Sequence, residues 1–596
     1  MNDSYSVVDE KVSAETGRQR LKRLSKLKGR QPDDTSLGEV RRLIGPAPHR
    51  RDLLIEYLHK LNDEYKVLHD RHLVALAAEL NTPMAEVYEV ATFYHHFEVV
   101  RDGDPVAEMT VRVCEGLPCH LAGAKELLER LPAILANPKV RIQPVPCVGR
   151  CEQAPVAVVG QYPVIFASAE KIQAAVETIT TAHPAAGPDG AFDPAALALK
   201  AVSPQGEIQT VSPAYVGYDA YRAAGGYKLA AEVASGRHEI EAVLKAMENS
   251  VLRGLGGAGF PAGRKWRIVR EQPAPRFMTV NIDEGEPGTF KDRTFLERDP
   301  HRFLEGMLVA AHATGIHSCH IYLRDEYHGC RELLRAELAK LQADPPCALP
   351  AIELRRGAGA YICGEESAMI ESLEGKRGEP RKRPPYIAQV GLFGRPTLQH
   401  NLETLYWVRD ILQRGPDWFG AFGRHGRQGL RSFSVSGRVK EPGVKLAPAG
   451  ITALELIEEY CGGMQDGHTL YAYLPGGASG GILPAAMGDL PLDFDTLQPH
   501  GCFIGSAGVI VLSRQDKARD AALNIMRFFA SESCGQCTPC RVGTAKAAKL
   551  MEAPSWDHAT LADLAEVMAD ASICGLGQAA PNPLRCVQKY FPQELR

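Results

Sequence analysis

Two sets of four cysteines constrain this chain more than any other feature. Cys114-x4-Cys119 and Cys147-x3-Cys151 lie in the first third, and Cys534-x2-Cys537-x2-Cys540 with a later Cys574 lies near the end. Thiolates delivered in tight groups from short loops hold soft metals, and this clustering predicts two iron–sulfur clusters. Three thiolates at two-residue intervals wrap one face of a cubane, and a remote fourth closes it. That pattern predicts a [4Fe–4S] cluster at Cys534, Cys537, Cys540 and Cys574. Zinc ribbons bring two separated Cys-x2-Cys pairs, so a triple this tight suits a tetrahedral ion badly. The N-terminal set departs from the plant-type ferredoxin spacing, and spacing alone leaves a structural zinc site open there. The other cysteines (319, 330, 347, 363, 461, 502, 586) are scattered and read mostly as small core residues.

At 596 residues the chain exceeds one core, and about three to five domains are expected. The composition, 45% hydrophobic and 23% charged with net charge −4, is that of a soluble globular protein and gives no reason to expect nucleic acid as a partner. No apolar run approaches the roughly 18 residues that span a bilayer, so no membrane role is expected. The start lacks the apolar core of a secretory signal. With 15 cysteines expected as thiols or metal ligands, the cytoplasm is the natural compartment.

Composition and periodicity divide the chain into multidomain α/β and α+β parts. Residues 1–45 form a basic polar extension, and 46–107 a helical bundle marked by Leu54, Leu58 and Leu61, then Leu73, Leu76 and Leu80. Alternation at Met109–Cys114 and strand-like runs at 140–147 and 156–159 place cysteines at strand-to-loop junctions of a small α/β unit, as in a thioredoxin-like ferredoxin over 108–181. Residues 182–214 read as an Ala/Pro/Gly linker, 215–430 as an α/β domain, 431–515 as a small α+β module and 516–596 as a helical cluster domain.

Gly254-Leu-Gly-Gly-Ala-Gly259 satisfies Gly-x-Gly-x-x-Gly, but the dinucleotide fingerprint must follow a strand, and 240–252 reads as a helix. Glycines at this density still let backbone N–H groups approach phosphate, with Lys265 as an added charge. Asn281-Ile-Asp-Glu-Gly-Glu-Pro-Gly288 follows a strand-like run and sets polar and acidic groups on a turn suited to ribityl hydroxyls and ring edges. Gly357-Ala-Gly-Ala-Tyr-Ile-Cys-Gly-Glu-Glu366 repeats the theme. With the cluster cysteines, an FMN site is the simplest account.

At these residues the chain resembles the flavoprotein subunit of respiratory complex I, through 254–266, 281–293, 357–366, Asn401-Leu-Glu-Thr404 and the C-terminal cysteines. Cys114, Cys119, Cys147 and Cys151, with the bundle before them, resemble its thioredoxin-like [2Fe–2S] partner, here fused in one chain. Such fusions occur in diaphorase subunits of NAD-reducing hydrogenases and β subunits of soluble NAD-dependent formate dehydrogenases. The stretches 51–56, 218–222 and 434–448 look like the formate dehydrogenase branch. The resemblance implies FMN contacts from Gly254, Gly256, Gly257, Lys265, Asn281, Asp283, Glu284, Tyr361, Gly364, Glu365, Asn401 and Thr404. It implies NAD(H) near Phe260, Glu286, Glu366 and Tyr386, with Glu286 and Glu366 positioning the nicotinamide. It makes 431–515 a ubiquitin-like β-grasp module. Leu255 stands where relatives often carry Arg, and Ile268 and Tyr386 where aromatic residues, commonly Phe, sandwich the adenine. The implied activity is NADH diaphorase, and the implied partner a molybdenum- or tungsten-pterin formate dehydrogenase α subunit. A hydrogenase module or a complex I-type NADH dehydrogenase is the alternative, and a non-enzymatic zinc-stabilised scaffold the reading from another class.

Overall fold

The structure, a computed structural model, describes residues 29–181, 199–202, 207–211 and 215–595. Residues 1–28 of the basic extension lie outside the described residues. The remainder of that segment is no bare tail, which corrects the boundary at 45: Asp34–Ile44 is a helix, capped by Asp33 accepting from Ser36 N at 2.8 Å. Ser36, Val40 and Ile44, four residues apart, form its buried stripe, which the surrounding charge conceals in the sequence. Helices Leu54–Tyr65 and Asp70–Glu79 bury Leu54, Leu58, Leu61, Leu73 and Leu76 within the same unit, residues 29–92 with 97–105. There β1 (Leu68–His69) pairs in parallel with β2 (Val99–Val100).

The second unit takes residues 93–96 and the described chain from 106 onward. Its first sheet has the order β4-β3-β5-β6, from β3 (Met109–Cys114), β4 (Val140–Val145), β5 (Ala157–Val159) and β6 (Tyr162–Val164). Strands β3 and β4 are parallel and the other pairs antiparallel. Helices Ala124–Leu135 and Ala169–Thr181 join it to bury Val111, Val113, Leu127, Leu131, Val156 and Ile172. This is the thioredoxin-like domain.

The linker expected over 182–214 is corrected in part. It carries β7 (Leu199–Val202) and β8 (Ile208–Val211), which pair antiparallel. Both strands are too short, and too mixed with Pro and Gly neighbours, to stand out by periodicity. Residues 182–198, 203–206 and 212–214 lie outside the described residues.

Next comes a parallel sheet in the order β11-β10-β9-β12, built from β9 (Arg276–Ile282), β10 (Ile316–Leu323), β11 (Ala351–Arg356) and β12 (Thr397–Asn401). Parallel strands need crossovers, and the helix Pro300–Thr314 between β9 and β10 is buried nearly all round. The carboxyl ends of these strands lead into the acidic turn after Ile282, the glycine segment after Arg356, and Asn401. Open parallel sheets bind ligands at that edge.

Beyond it, β13 (Leu430–Gly437), β14 (Gly443–Pro448), β15 (Leu470–Leu474), β16 (Leu483–Pro484) and β17 (Gly508–Ser513) form a mixed sheet in the order β16-β15-β17-β13-β14-β7-β8. Its outer edge is therefore supplied by the supposed linker. Between β14 and β15, a helical turn at Ala453–Glu455 begins on a Thr452–Glu455 capping box and continues as a π-turn over Leu456–Tyr460. The C-terminal part is helical: Ala518–Ser531, Thr538–Met551, His558–Ala571, Gly575–Ala579 and Asn582–Tyr590. Leu561 and Met568 are buried, and Met568 lies where a side chain on Gly543 would collide with it. Among the described residues no helix is long and apolar enough to cross a membrane.

Candidate active site and metal centres

The four N-terminal cysteines converge. Cys114 ends β3, Cys119 lies in the short helix Leu117–Leu121, and Cys147 and Cys151 flank a glycine turn after β4. All four are buried, and Cys147 Sγ is 3.4 Å from Cys151 Sγ. Hydrogen bonds from the neighbouring thiols, Cys114 first, hold Cys147 well below the ordinary thiol range. Their counterpart raises Cys114 through Cys119, and Cys151 through Cys147. Four thiolates so confined need a cationic centre between them, so the donor set fits a cluster. Backbone donors already point at the sulfurs, Gly149 N to Cys147 at 3.4 Å and Gly288 N to Cys151 at 3.3 Å. The second donor comes from the acidic turn of the parallel-sheet domain, so that turn and the cysteine loop meet directly. Arg324 donates to Cys147 O at 2.7 Å, Arg150 pairs with Glu297 at 3.1 Å, and buried Arg293 pairs with Glu152.

The C-terminal set is closer to the surface. Cys534 and Cys537 are half-buried, Cys540 and Cys574 buried. Burial pushes Cys540 up to about 11 and Cys574 to about 12, while Leu576 and Gly577 N–H groups oppose the shift at Cys574. Gly577 is required because a Cβ there would lie 2.9 Å from that of Cys540. Cys537 and Cys534 each add to the rise at Cys540, and Cys534 to that at Cys574, so the set is grouped, and a bound cationic centre would supply the ionisation that burial opposes.

Between the two sets lies an open cavity of about 290 Å³. The glycine loop, the acidic turn and the 361–365 segment supply three walls, through Gly256, Gly257, Asn281, Asp283, Glu284, Tyr361, Gly364, Glu365 and Asn401. These are nine of the expected FMN contacts. The other three lie behind the wall and shape it. Gly254 closes the loop by donating to Phe260 O at 2.8 Å, and Thr404 Oγ1 accepts from Leu255 N at 2.9 Å. Lys265 donates to Gln399 O at 3.1 Å, and burial lowers its ammonium. Leu255 is buried.

The acids of the turn have distinct surroundings. Glu284 accepts from Asp292 N at 2.8 Å, Arg293 N at 3.1 Å and Tyr327 Oη at 2.9 Å, and burial, reinforced by Asp292, pushes its carboxyl up to about 7. Asp283 is also driven well above the carboxylate range by burial, and its Oδ2 has no hydrogen-bond partner. A buried acceptor left open toward a cavity fits a ligand rich in hydroxyl and N–H donors, as the ribityl chain and isoalloxazine edge are. Burial raises Glu286 too. It accepts from Tyr361 Oη at one oxygen and from Ser479 N and Oγ, both at 2.7 Å, at the other. Glu365 caps the helix Glu366–Leu373 and, like Glu366, pairs with Arg383, at 2.8 and 2.9 Å. Of the expected NAD contacts, Glu286 lines the cavity, whereas Phe260 and Tyr386 are exposed aromatic rings, 39% and 56%. Glu366 is not among the residues lining the cavity.

Several cavity residues carried no local signal. Lys291 and Asp292 lie in an ordinary-looking helix start. Burial would lower the Lys291 ammonium, but Asp292, Glu403 and Glu284 outweigh it and raise it. Ser479, Phe503, Gly505 and Ser506 come from the mixed sheet, and Gly575, Leu576 and Ala579 from the helical domain. The glycine run 476–481 was the one available hint. A second, narrower cavity of about 90 Å³ shares Asp283, Gly285 and Tyr361 with the first and reaches Cys147 and Val148.

Comparison with known proteins agrees with this geometry. Residues 247–410 match the Nuo51 FMN-binding domain, 40–180 the thioredoxin-like [2Fe–2S] ferredoxin, and 520–596 the NADH-ubiquinone oxidoreductase-F iron–sulfur binding region. The chain is 40% identical over 390 residues to an NADH-quinone oxidoreductase F subunit of Rhizobium meliloti (strain 1021), covering 63% of this chain and 92% of that one. The corresponding F subunit of Aquifex aeolicus (strain VF5) is 40% identical over 368 residues, 59% of this chain and 85% of that one. A crystal structure of an NAD+-reducing [NiFe]-hydrogenase in the H2-reduced state superimposes with TM-score 0.78 at 34% identity, covering 92% of both chains. The chain belongs to the family of NADH-quinone oxidoreductase F subunits, as an NAD(H) oxidoreductase with its FMN-binding domain, [2Fe–2S] ferredoxin and [4Fe–4S] region in one polypeptide.

Proposed function

We propose that the chain is the diaphorase subunit of a soluble NAD-dependent formate dehydrogenase, receiving electrons from a molybdenum- or tungsten-pterin partner and passing them to NAD+. The observation that carries the diaphorase part is the shared cavity wall: Gly575 and Leu576, directly after cluster cysteine Cys574, face the same space as the acidic turn. FMN, when bound there, supplies the exchange between electron pairs at nicotinamide and single electrons at iron–sulfur centres. The chain's own residues do the rest. Gly256 and Gly257 offer bare backbone on one wall, and Asn281, Asp283, Asn401 and Glu284 offer acceptors and donors along the other. Glu286, fixed at both oxygens, orients the nicotinamide, and Phe260 and Tyr386, whose rings are exposed, receive the adenine. Cys534, Cys537, Cys540 and Cys574 hold the cluster leading to the partner, and Cys114, Cys119, Cys147 and Cys151 a branch or store.

The formate branch rests on the stretches 51–56, 218–222 and 434–448. The diaphorase half of a NAD-reducing hydrogenase is the second reading, favoured by the similarity to the [NiFe]-hydrogenase structure over 92% of the chain. The isolated chain, purified without oxygen, should reduce ferricyanide with NADH and turn over neither formate nor hydrogen. A complex isolated from its native cell should contain molybdenum or tungsten and oxidise formate. Nickel and hydrogen uptake there would replace the first reading with the second, and no NADH–ferricyanide activity would remove both.

A further inference from the structure

Cys502 and Cys586 lie 84 positions apart in sequence, yet their sulfurs are 3.5 Å apart. Both are buried at 2% exposure, and neither belongs to a cluster set. The contact is built for two sulfurs: a Cβ on Gly481 would lie 2.6 Å from Cys502 Sγ and 3.0 Å from Cys586 Sγ, and Gly481 holds φ +84° besides. The pair is shallow, because Cys502 follows exposed Gly501, whose carbonyl lies 3.8 Å from Cys586 Sγ. Lys589, one turn along the helix Asn582–Tyr590, is near enough for its charge to favour the thiolate at both sulfurs. The buried thiols of Cys319 and Cys330, outside both cluster sets, serve as internal controls.

We propose that Cys502 and Cys586 are an oxidisable dithiol that closes to a disulfide when a hydroperoxide reaches it. The segment between them contains Cys534, Cys537, Cys540 and Cys574, so closure makes the whole [4Fe–4S]-bearing region a covalent ring anchored to the mixed sheet. The hydrogen bond between the sulfurs can run either way, and Ile482 N–H and Lys589 favour the thiolate at both positions; Cys586, on the same helix as Lys589, is taken as the attacking sulfur. Its thiolate attacks one peroxide oxygen and the O–O bond breaks. Hydroxide leaves, takes up a proton as water, and Cys586 becomes a sulfenic acid. Cys502 sulfur then attacks Cys586 sulfur; the S–O bond breaks, the S–S bond forms, and the second oxygen leaves as water with the Cys502 proton. Two thiols and one peroxide thus give one disulfide and two waters. The ring also fastens the helix whose Asn582 donates to Ser479 O at 3.0 Å, the residue that holds Glu286.

The test uses the full chain, purified without oxygen with its cofactors and treated with a small molar excess of hydrogen peroxide. It is then quenched in acid, alkylated and digested without reductant for mass spectrometry. The expected product is one peptide pair joined through Cys502 and Cys586, reversed by dithiothreitol, at doses that leave Cys319 and Cys330 alkylated. Cys502→Ser should leave Cys586 as a sulfenic acid trappable by a cyclic diketone, and oxidation should raise the melting midpoint of the wild type but not of the variant. Should that variant fail to fold, the wild-type peptide map and melting shift decide alone. Free thiols at both positions, oxidation of either directly to sulfinic acid, bridges confined to the cluster cysteines, or a midpoint unmoved by oxidation would each overturn the proposal.

Discussion

Ser479→Ala removes one of the donors that set the charge of Glu286. In the wild type, Glu286 Oε1 receives Ser479 N and Oγ at 2.7 Å each, and its other oxygen receives Tyr361 Oη. The substitution deletes the hydroxyl and leaves the backbone N–H. A hydrogen bond to a charged group is worth about 1.5–3 kcal/mol, and the remaining donors recover part of it, leaving a net loss of roughly 1–1.5 kcal/mol in the ionised form. At 1.36 kcal/mol per unit that is about one pKa unit. The sign follows from which form the donor favours: hydrogen bonds lower Glu286 against the burial that raises it, so losing one raises it further. The assay is NADH–ferricyanide turnover against pH on protein with full flavin content. The acid limb of kcat/KM should move about one unit toward higher pH, and the KM for NADH should rise on that limb by at most about tenfold. Ser479→Thr should restore most of both. A variant with an unmoved acid limb and an altered KM would refute the reasoning, because the serine would then shape the cavity without acting through the carboxylate.

Cys574→Ser should lower iron by about four per chain while flavin content and NADH–ferricyanide activity persist; loss of all iron would mean the two cysteine sets do not assemble independently. Arg293→Met strips buried Glu152 of its ion-pair partner, while Glu297 keeps Arg150, and should destabilise the folded chain by about 3–5 kcal/mol in denaturant melts, with Glu152→Leu added to it recovering a large share. Burial pushes Asp299 up to about 6 from 3.8, so the stability contributed by its protonated form is complete below about pH 4 and lost as pH rises through 6. Asp299→Asn should therefore raise the melting midpoint at pH 8, by an amount worth up to roughly 2–3 kcal/mol, and leave it unchanged near pH 4.

Much of this organisation was legible because its chemistry is written locally. Cys534, Cys537 and Cys540 declare a cluster through spacing alone, and Met109–Cys114 declares a strand through alternation. The helix at Ile240–Asn249 rightly spoils a literal Gly-x-Gly-x-x-Gly match, since the glycine loop does not follow a strand. What stayed hidden depends on partners distant in the chain. Leu199–Val202 becomes a strand by pairing with β8 and, on its other side, with Lys445 and Leu446 of β14. Ser479 becomes part of the cavity only because the mixed sheet brings it 193 positions to Glu286. The same holds for the acids themselves. Sequence places Asp283, Glu284 and Glu286 on one turn, but gives no reason for them to differ. Their differences come from tertiary donors: Glu284 is met by the next helix and Tyr327, Glu286 by Tyr361 and the mixed sheet, and Asp283 Oδ2 by nothing. One turn thus presents a ligand with one carboxylate committed to the fold, one held rigid at both oxygens, and one open acceptor. That division of labour requires the parallel-sheet domain and the mixed sheet to be assembled together, since Tyr327 and Tyr361 come from the first and Ser479 from the second.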